Sequence, residues 1–167
     1  MRLPLILSAG LLFSLGMNLP VMSQPTVEVA QISSNRKPNL EARRLQFNRR
    51  LWNSNNIVNY RYTFSNGCFC TPDARGPVVI EVRNGKTVSV TSVATGQPVS
   101  NPEFFQNYNT IPKLFNVIGD AIARQAANLD ISYNPRYGYP TQINVDYNAQ
   151  IADEEIYLTI ENLEIIR

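Results

Sequence analysis

The chain reads as an α+β fold: an antiparallel sheet of about six strands with two amphipathic helices on one face, in the order α-β-β-β-α-β-β-β. Three observations predict it. Six short runs alternate apolar and polar residues with the period of two that marks half-buried strands. Two longer runs repeat apolar residues at helical spacing, and each carries a proline where a helix begins. An Asn84-Gly85 pair joins two of the strands as a tight antiparallel hairpin. Half-polar strands leave one face for solvent, so the helices cover the other.

The first helix is predicted over 38–53. Pro38 suits its first position, and Leu40, Phe47 and Leu51 fall near one stripe with Leu45 and Trp52 beside it. Arg43, Arg44, Arg49 and Arg50 fill the rest. A strand over 58–64 follows, with Tyr60, Tyr62 and Phe64 on one face and Asn59, Arg61 and Thr63 on the other. Residues 78–83 and 87–93 form the hairpin. A two-residue turn at Asn84-Gly85 pairs Val82 with Thr87 and Ile80 with Ser89, mixing apolar and polar side chains on one face. A three-residue loop, 83–85, pairs Ile80 with Val88 and Val78 with Val90. Face parity favours the second, a type I turn with Gly85 left-handed in a bulge.

Residues 97–108 read as a loop holding Pro98, Pro102, Phe104 and Phe105. The second helix starts near Thr110 with Pro112 in its first turn, and Ile111, Leu114, Phe115, Ile118, Ala121 and Ile122 make its apolar stripe. Strands over 129–133 and 142–147 flank a turn at 134–140, and a last strand over 155–165 carries Ile156, Leu158 and Ile160. The expected core contains Ile80, Val82, Val88, Val90, Ile118, Ile122, Ile131, Val145 and Leu158.

Residues 1–23 read as a secretory signal peptide: Arg2, an apolar run over 3–15, then Val21 and Ser23 before a cut that leaves Gln24 first. The apolar run is shorter than the roughly 20 residues a membrane span needs, so no transmembrane segment is expected. Residues 24–37 are polar and read as a flexible N-terminal segment, and 38–167 as a single α+β domain. The expected location is the periplasm or the secreted medium, in a bacterial envelope.

Composition excludes much chemistry. The chain has no histidine among its 167 residues, which removes Ser-His-Asp triads, Cys-His pairs, His-ligated metals and the usual general base near neutral pH. Without Arg2 the balance is 14 basic against 13 acidic residues, no footprint for nucleic acid. No catalytic residues, metal site or cofactor are expected. Charge is nonetheless segregated: six basic residues against Glu41 within 36–50, and six acids with no base within 146–164. These segments either face each other or leave the basic helix for an anionic partner. Asp146, Asn148, Gln150, Asp153, Glu154 and Glu155 read as a solvated hairpin tip, lacking the glycine and final glutamate of a calcium loop.

Two groups remain as candidate sites. Cys68 and Cys70, flanked by Gly67 and Thr71-Pro72, suit a local disulfide in an exported protein. A three-residue ring contributes only about 1.6 kcal/mol of loop entropy, so the pair is a minor structural bridge, a redox centre, or two thiols left free or bonded to another chain. Tyr137 and Tyr139 in the turn, with Phe104 and Phe105 in the loop, are the possible binding residues, because loops carry function on a rigid scaffold.

Several landmarks stand in a recognisable order: Trp52, Asn59-Tyr60 with Tyr62, the C-F-C at 68–70, Asn84-Gly85, T-I-P-K-L-F at 110–115, Y-N-P-R-Y-G-Y-P at 133–140 and D-E-E at 153–155. In these the chain resembles the bacterial domain-of-unknown-function family 6174 over about 51–161. The resemblance implies an exported or lipid-anchored protein and assigns no catalytic residues. The lipidated cysteine of many members is absent, so anchoring does not carry over. The function expected is an exported, non-catalytic binding or structural module with an unknown protein or envelope component as partner. The alternative is a thiol-disulfide redox or exchange protein acting through the C-x-C.

Overall fold

The computed structural model describes residues 28–150 and 155–167, with side chains described from Leu40 onward. The expected signal segment, residues 24–27 and the acids Asp153 and Glu154 lie outside the described residues. The elements are α1 (Glu28–Ser54), β1 (Tyr60–Asn66), the single turn α2 (Pro72–Arg75), β2 (Val78–Arg83), β3 (Lys86–Ser92), a 3-10 turn (Pro102–Phe105), α3 (Ile111–Ala123), β4 (Asn128–Tyr133), β5 (Pro140–Asp146) and β6 (Ile156–Ile165). The six strands stand in the order β3-β2-β1-β6-β5-β4, each pair antiparallel. Two meanders thus meet at the pairing of the first strand with the last. The α+β architecture is the expected one.

The core follows from strand parity. Tyr60, Tyr62 and Phe64 lie opposite Val82, Ile80 and Val78, and all six are buried, so each aromatic ring faces a β-branched partner across the strand pair. Ile131, Ile143, Val145, Leu158 and Ile160 continue the same face through β4, β5 and β6. Asn162, at φ 51, adds a residue to β6 where its register with β1 shifts between Arg61 and Thr63. Trp52 meets Tyr60 edge-on at 5.3 Å, and Phe64 stacks on Tyr108 at 5.4 Å. α3 closes the layer with Ile111, Leu114, Phe115, Ile118 and Ala121 buried and Ile122 half-buried. Thr110 caps it, its side chain accepting from the Lys113 amide.

The hairpin corrects one expectation. Asn84 and Gly85 both have positive φ, 49° and 73°, which is the two-residue turn whose twist suits a hairpin. It pairs Val82 with Thr87, yet Ile80 pairs with Val90 rather than Ser89. The register shifts between Glu81 and Val82, so Val88 is an extra residue on β3 and points to solvent, 57% exposed. Parity is restored by a bulge inside the strand instead of by a longer turn. The Val88 expectation fails for that reason.

The first helix corrects another. Among the described residues it is helical from Glu28, ten residues before Pro38; polar residues argue against packing into a core, not against helical backbone. Its inward face is Leu45 and Trp52, not the Leu40–Phe47 line, for Leu40 is 58% and Phe47 67% exposed. Two contacts fix that rotation. Leu45 packs over Gly119 of α3, and Gly138 in the β4–β5 turn comes so close to the Asn48 carbonyl oxygen that a Cβ there would overlap it. Arg44 reaches from the same face to the Ile131 carbonyl of β4 at 2.9 Å, covering part of that exposed sheet edge.

Candidate functional site

The C-x-C loop leaves the sheet between β1 and β2 and is tied at both ends. Gly67 donates its amide to the Tyr157 carbonyl of β6 at 2.7 Å, and a Cβ on Gly67 would lie 3.0 Å from the Tyr157 Cβ. At the far end, Pro72 starts α2, whose Arg75 donates from Nε to the Cys70 carbonyl at 2.8 Å. Gly76, at φ 81, then passes within 2.9 Å of the Phe64 carbonyl oxygen, measured from where its Cβ would stand. That is a conformation and a gap suited to glycine.

Within this frame Cys68 and Cys70 stand as an adjacent pair, half-buried, with Cα atoms 5.3 Å apart and their sulfurs together, inside the span a disulfide bridges. Phe69 between them is 94% exposed. The C-F-C spacing itself carries the signal for this exposure. When residues i and i+2 turn toward each other, the side chain between them is driven the opposite way. Phe69 is the most exposed of the large apolar residues described.

The aromatic candidates divide. Phe105 is fully buried, edge-on to Phe64 at 6.0 Å. Tyr139 is buried against Trp52 at 6.2 Å, its hydroxyl 3.4 Å from Asn134 Nδ2. Both belong to the core, at opposite ends of β1. Tyr137 is half-buried with the Arg136 guanidinium 5.0 Å from its ring centre, and Phe104 is 43% exposed. The turn that carries Tyr137 is built by Asn134, whose Oδ1 accepts from the amides of Arg136 and Tyr137, both at 3.0 Å. The structure does not gather the four into one surface.

Charge is arranged around the sheet. Glu164 pairs with Arg61 at 2.6 Å on the open face, away from the helices. Arg44 pairs with Glu41 at 2.9 Å, and Arg49 reaches Asn116 Oδ1 at 3.1 Å while lying over Phe115. Among the described residues, Arg43, Arg44, Arg49 and Arg50 make no ion pair with Asp146, Glu161 or Glu164. Among them also, no three of Cys, Asp and Glu form a metal-sized group, and no helix is long and apolar enough to cross a membrane.

Buried tyrosines dominate the titration. Burial pushes the Tyr60 phenol up to about 12, partly offset by its hydrogen bond from the Ile111 amide. Tyr62 is driven well above its ordinary value by burial and by the neighbouring Tyr60. Both hydroxyls are structural, holding the approach to α3. Neither borders the Cys68–Cys70 loop.

Among curated proteins and among solved structures nothing matches the chain. The profile of a family described as "Family of unknown function (DUF6174)" matches residues 44–165, which takes in every strand of the sheet, both of the cysteines and the C-terminal part of α1 from Arg44 on. The chain therefore belongs to the DUF6174 family.

Proposed function

We propose that the protein is an exported, non-catalytic binding module that engages an envelope component through the Cys68–Cys70 loop, with Phe69 as the contact residue. One observation carries this reading: a phenylalanine 94% exposed on a loop tied to β6 at Gly67 and to α2 at Cys70. Aromatic anchors held rigid before binding lose little entropy on contact and dominate interface energetics. The Cys68–Cys70 bridge serves here to orient Phe69. The chain's lack of histidine supports a role without general acid–base chemistry, and the N-terminal segment over 1–23 supports export. A photoreactive phenylalanine analogue at position 69 should yield one discrete adduct in the intact envelope. No adduct there, or the same adducts with the analogue at the exposed Lys86 position, counts against this reading.

A thiol-disulfide exchange role is the second reading, favoured by the Arg75 guanidinium that donates to the Cys70 carbonyl. A cation beside a cysteine stabilises the thiolate that exchange requires. Its test is the reduction potential. A value well above about −300 mV supports exchange, and a lower one supports a purely orienting bridge.

A further inference from the structure

The outward face of α1 carries a second, separate surface. Leu40, Arg43, Phe47 and Arg50 recur at steps of three and four residues, which sets them on one side of a helix. Leu40 is 58% and Phe47 67% exposed, and both arginines are exposed. Arg44 and Arg49 have partners within the domain, Glu41 with the Ile131 carbonyl and Asn116 with the Phe115 ring. Arg43 and Arg50 have none among the described residues. Glu41 is the one acid between 40 and 54, and it points inward to its pair with Arg44. The outward strip over 40–50 is therefore apolar and cationic, with no acid among its own four residues. The acids Glu161 and Glu164 flank β1 on the opposite side of the sheet, so the fold itself prevents them from neutralising it.

The geometry points to this strip as a peripheral docking face for an anionic phospholipid surface. Charge complementarity is the first argument: guanidinium groups meet lipid phosphates, and each basic residue held near an anionic leaflet adds to binding. Size is the second. From Leu40 to Arg50 the strip runs about 15 Å on a helix roughly 10 Å wide, far below the ~800 Å² per partner of a stable protein interface. A bilayer needs no complementary pocket, because it takes up single apolar side chains beside cationic ones. Like-charge repulsion is the third, since a second copy docking through the same strip would set Arg43 and Arg50 against themselves. The inference shares the export reading, which places the domain beside a bilayer, but it does not depend on Phe69.

Vesicle co-sedimentation of the processed protein tests it, with phosphatidylglycerol-rich against pure phosphatidylcholine vesicles. Binding should be at least about ten-fold tighter to the anionic vesicles and should weaken as salt rises. Arg43→Glu with Arg50→Glu should lower it about ten-fold or more, and Leu40→Ser with Phe47→Ser several-fold. Lys86→Glu with Arg167→Glu, the same charge change elsewhere, should leave it within about two-fold. All of these side chains are exposed, and matched thermal melts show that the variants fold. Equal binding to both vesicle types, or an Arg43/Arg50 reversal that binds as well as the control, overturns the proposal. So does concentration-dependent self-association that the reversal abolishes, or tighter binding to polyglutamate than to anionic vesicles. Loss of the crosslink at position 69 with vesicle binding intact would defeat the Phe69 reading and leave this one standing.

Discussion

The Tyr60 hydroxyl oxygen accepts a hydrogen bond from the Ile111 amide at 3.0 Å, linking the first strand to the first turn of α3 across 51 residues of chain. The Ile111 amide is one of the donors that a helix N-terminus leaves without an internal partner. Two residues along the strand, Tyr62 donates its hydroxyl to the Tyr108 carbonyl at 2.6 Å. The two phenols of β1 thus fix both the approach to α3 and its first turn.

Tyr60→Phe keeps the ring and its contact with Trp52 but removes the acceptor. It leaves a buried amide without a partner, and the expected loss is about 1–3 kcal/mol. Urea unfolding measures it. A shift within about half a kcal/mol, as at surface positions, would show that the bond contributes nothing.

Alkaline pH should unfold the protein through the same residues. The Tyr60 phenol lies at about 12 against an ordinary 10.0, and Tyr62 lies well above that value too. Between these limits the unfolded chain has released protons that the folded chain still holds. The stabilisation is whole below about pH 10 and is lost as pH climbs toward the folded values, at roughly 1.4 kcal/mol per pH unit for each tyrosine. Urea midpoints should be level up to about pH 9.5 and fall beyond it. A level midpoint through pH 11 would contradict the burial of both phenols.

Ile118→Ala should cost about 2–5 kcal/mol, because Ile118 is fully buried under the sheet. Val88→Thr should change stability by no more than about half a kcal/mol, since the bulge turns Val88 outward. A large loss at Val88 would mean that β3 keeps an unbroken alternation after all.

Cys68 and Cys70 should resist alkylation in the native protein and label after reduction. Replacing both with serine should leave the fold in place, because a ring of three residues constrains the unfolded chain by only about 1.6 kcal/mol. Two thiols labelled in protein taken directly from the envelope would defeat the bridge in either of its roles.

Export should leave a mature chain that begins at Gln24. Val21 and Ser23 suit the peptidase, and Ala30 offers the alternative cut. Intact mass of the recovered protein distinguishes the two. Retention of Met1 in an envelope fraction would remove the exported reading.

What the sequence determined by itself is local: six strands, two main helices, and which face of most strands is apolar. Side-chain alternation along a strand is set by backbone geometry alone, so Tyr60, Tyr62 and Phe64 were legible as one buried face before any partner was known. Tertiary structure decided the rest. The face that α1 turns inward is set by residues far along the chain, by Gly138, which the Asn48 carbonyl approaches closely, and by Gly119, beside which Leu45 packs; the composition of α1 leaves Leu40 and Phe47 equally eligible. The Val88 bulge is decided by the need to match β2 through its whole length, although the Asn84-Gly85 turn alone dictates the opposite parity. Phe105 and Tyr139 became core because Phe64 and Trp52 stand beneath them, a relation between residues 41 and 87 positions apart. Phe69 is the opposite case: its exposure follows from its two cysteine neighbours, a strictly local constraint, whereas the rigidity of its loop comes from β6.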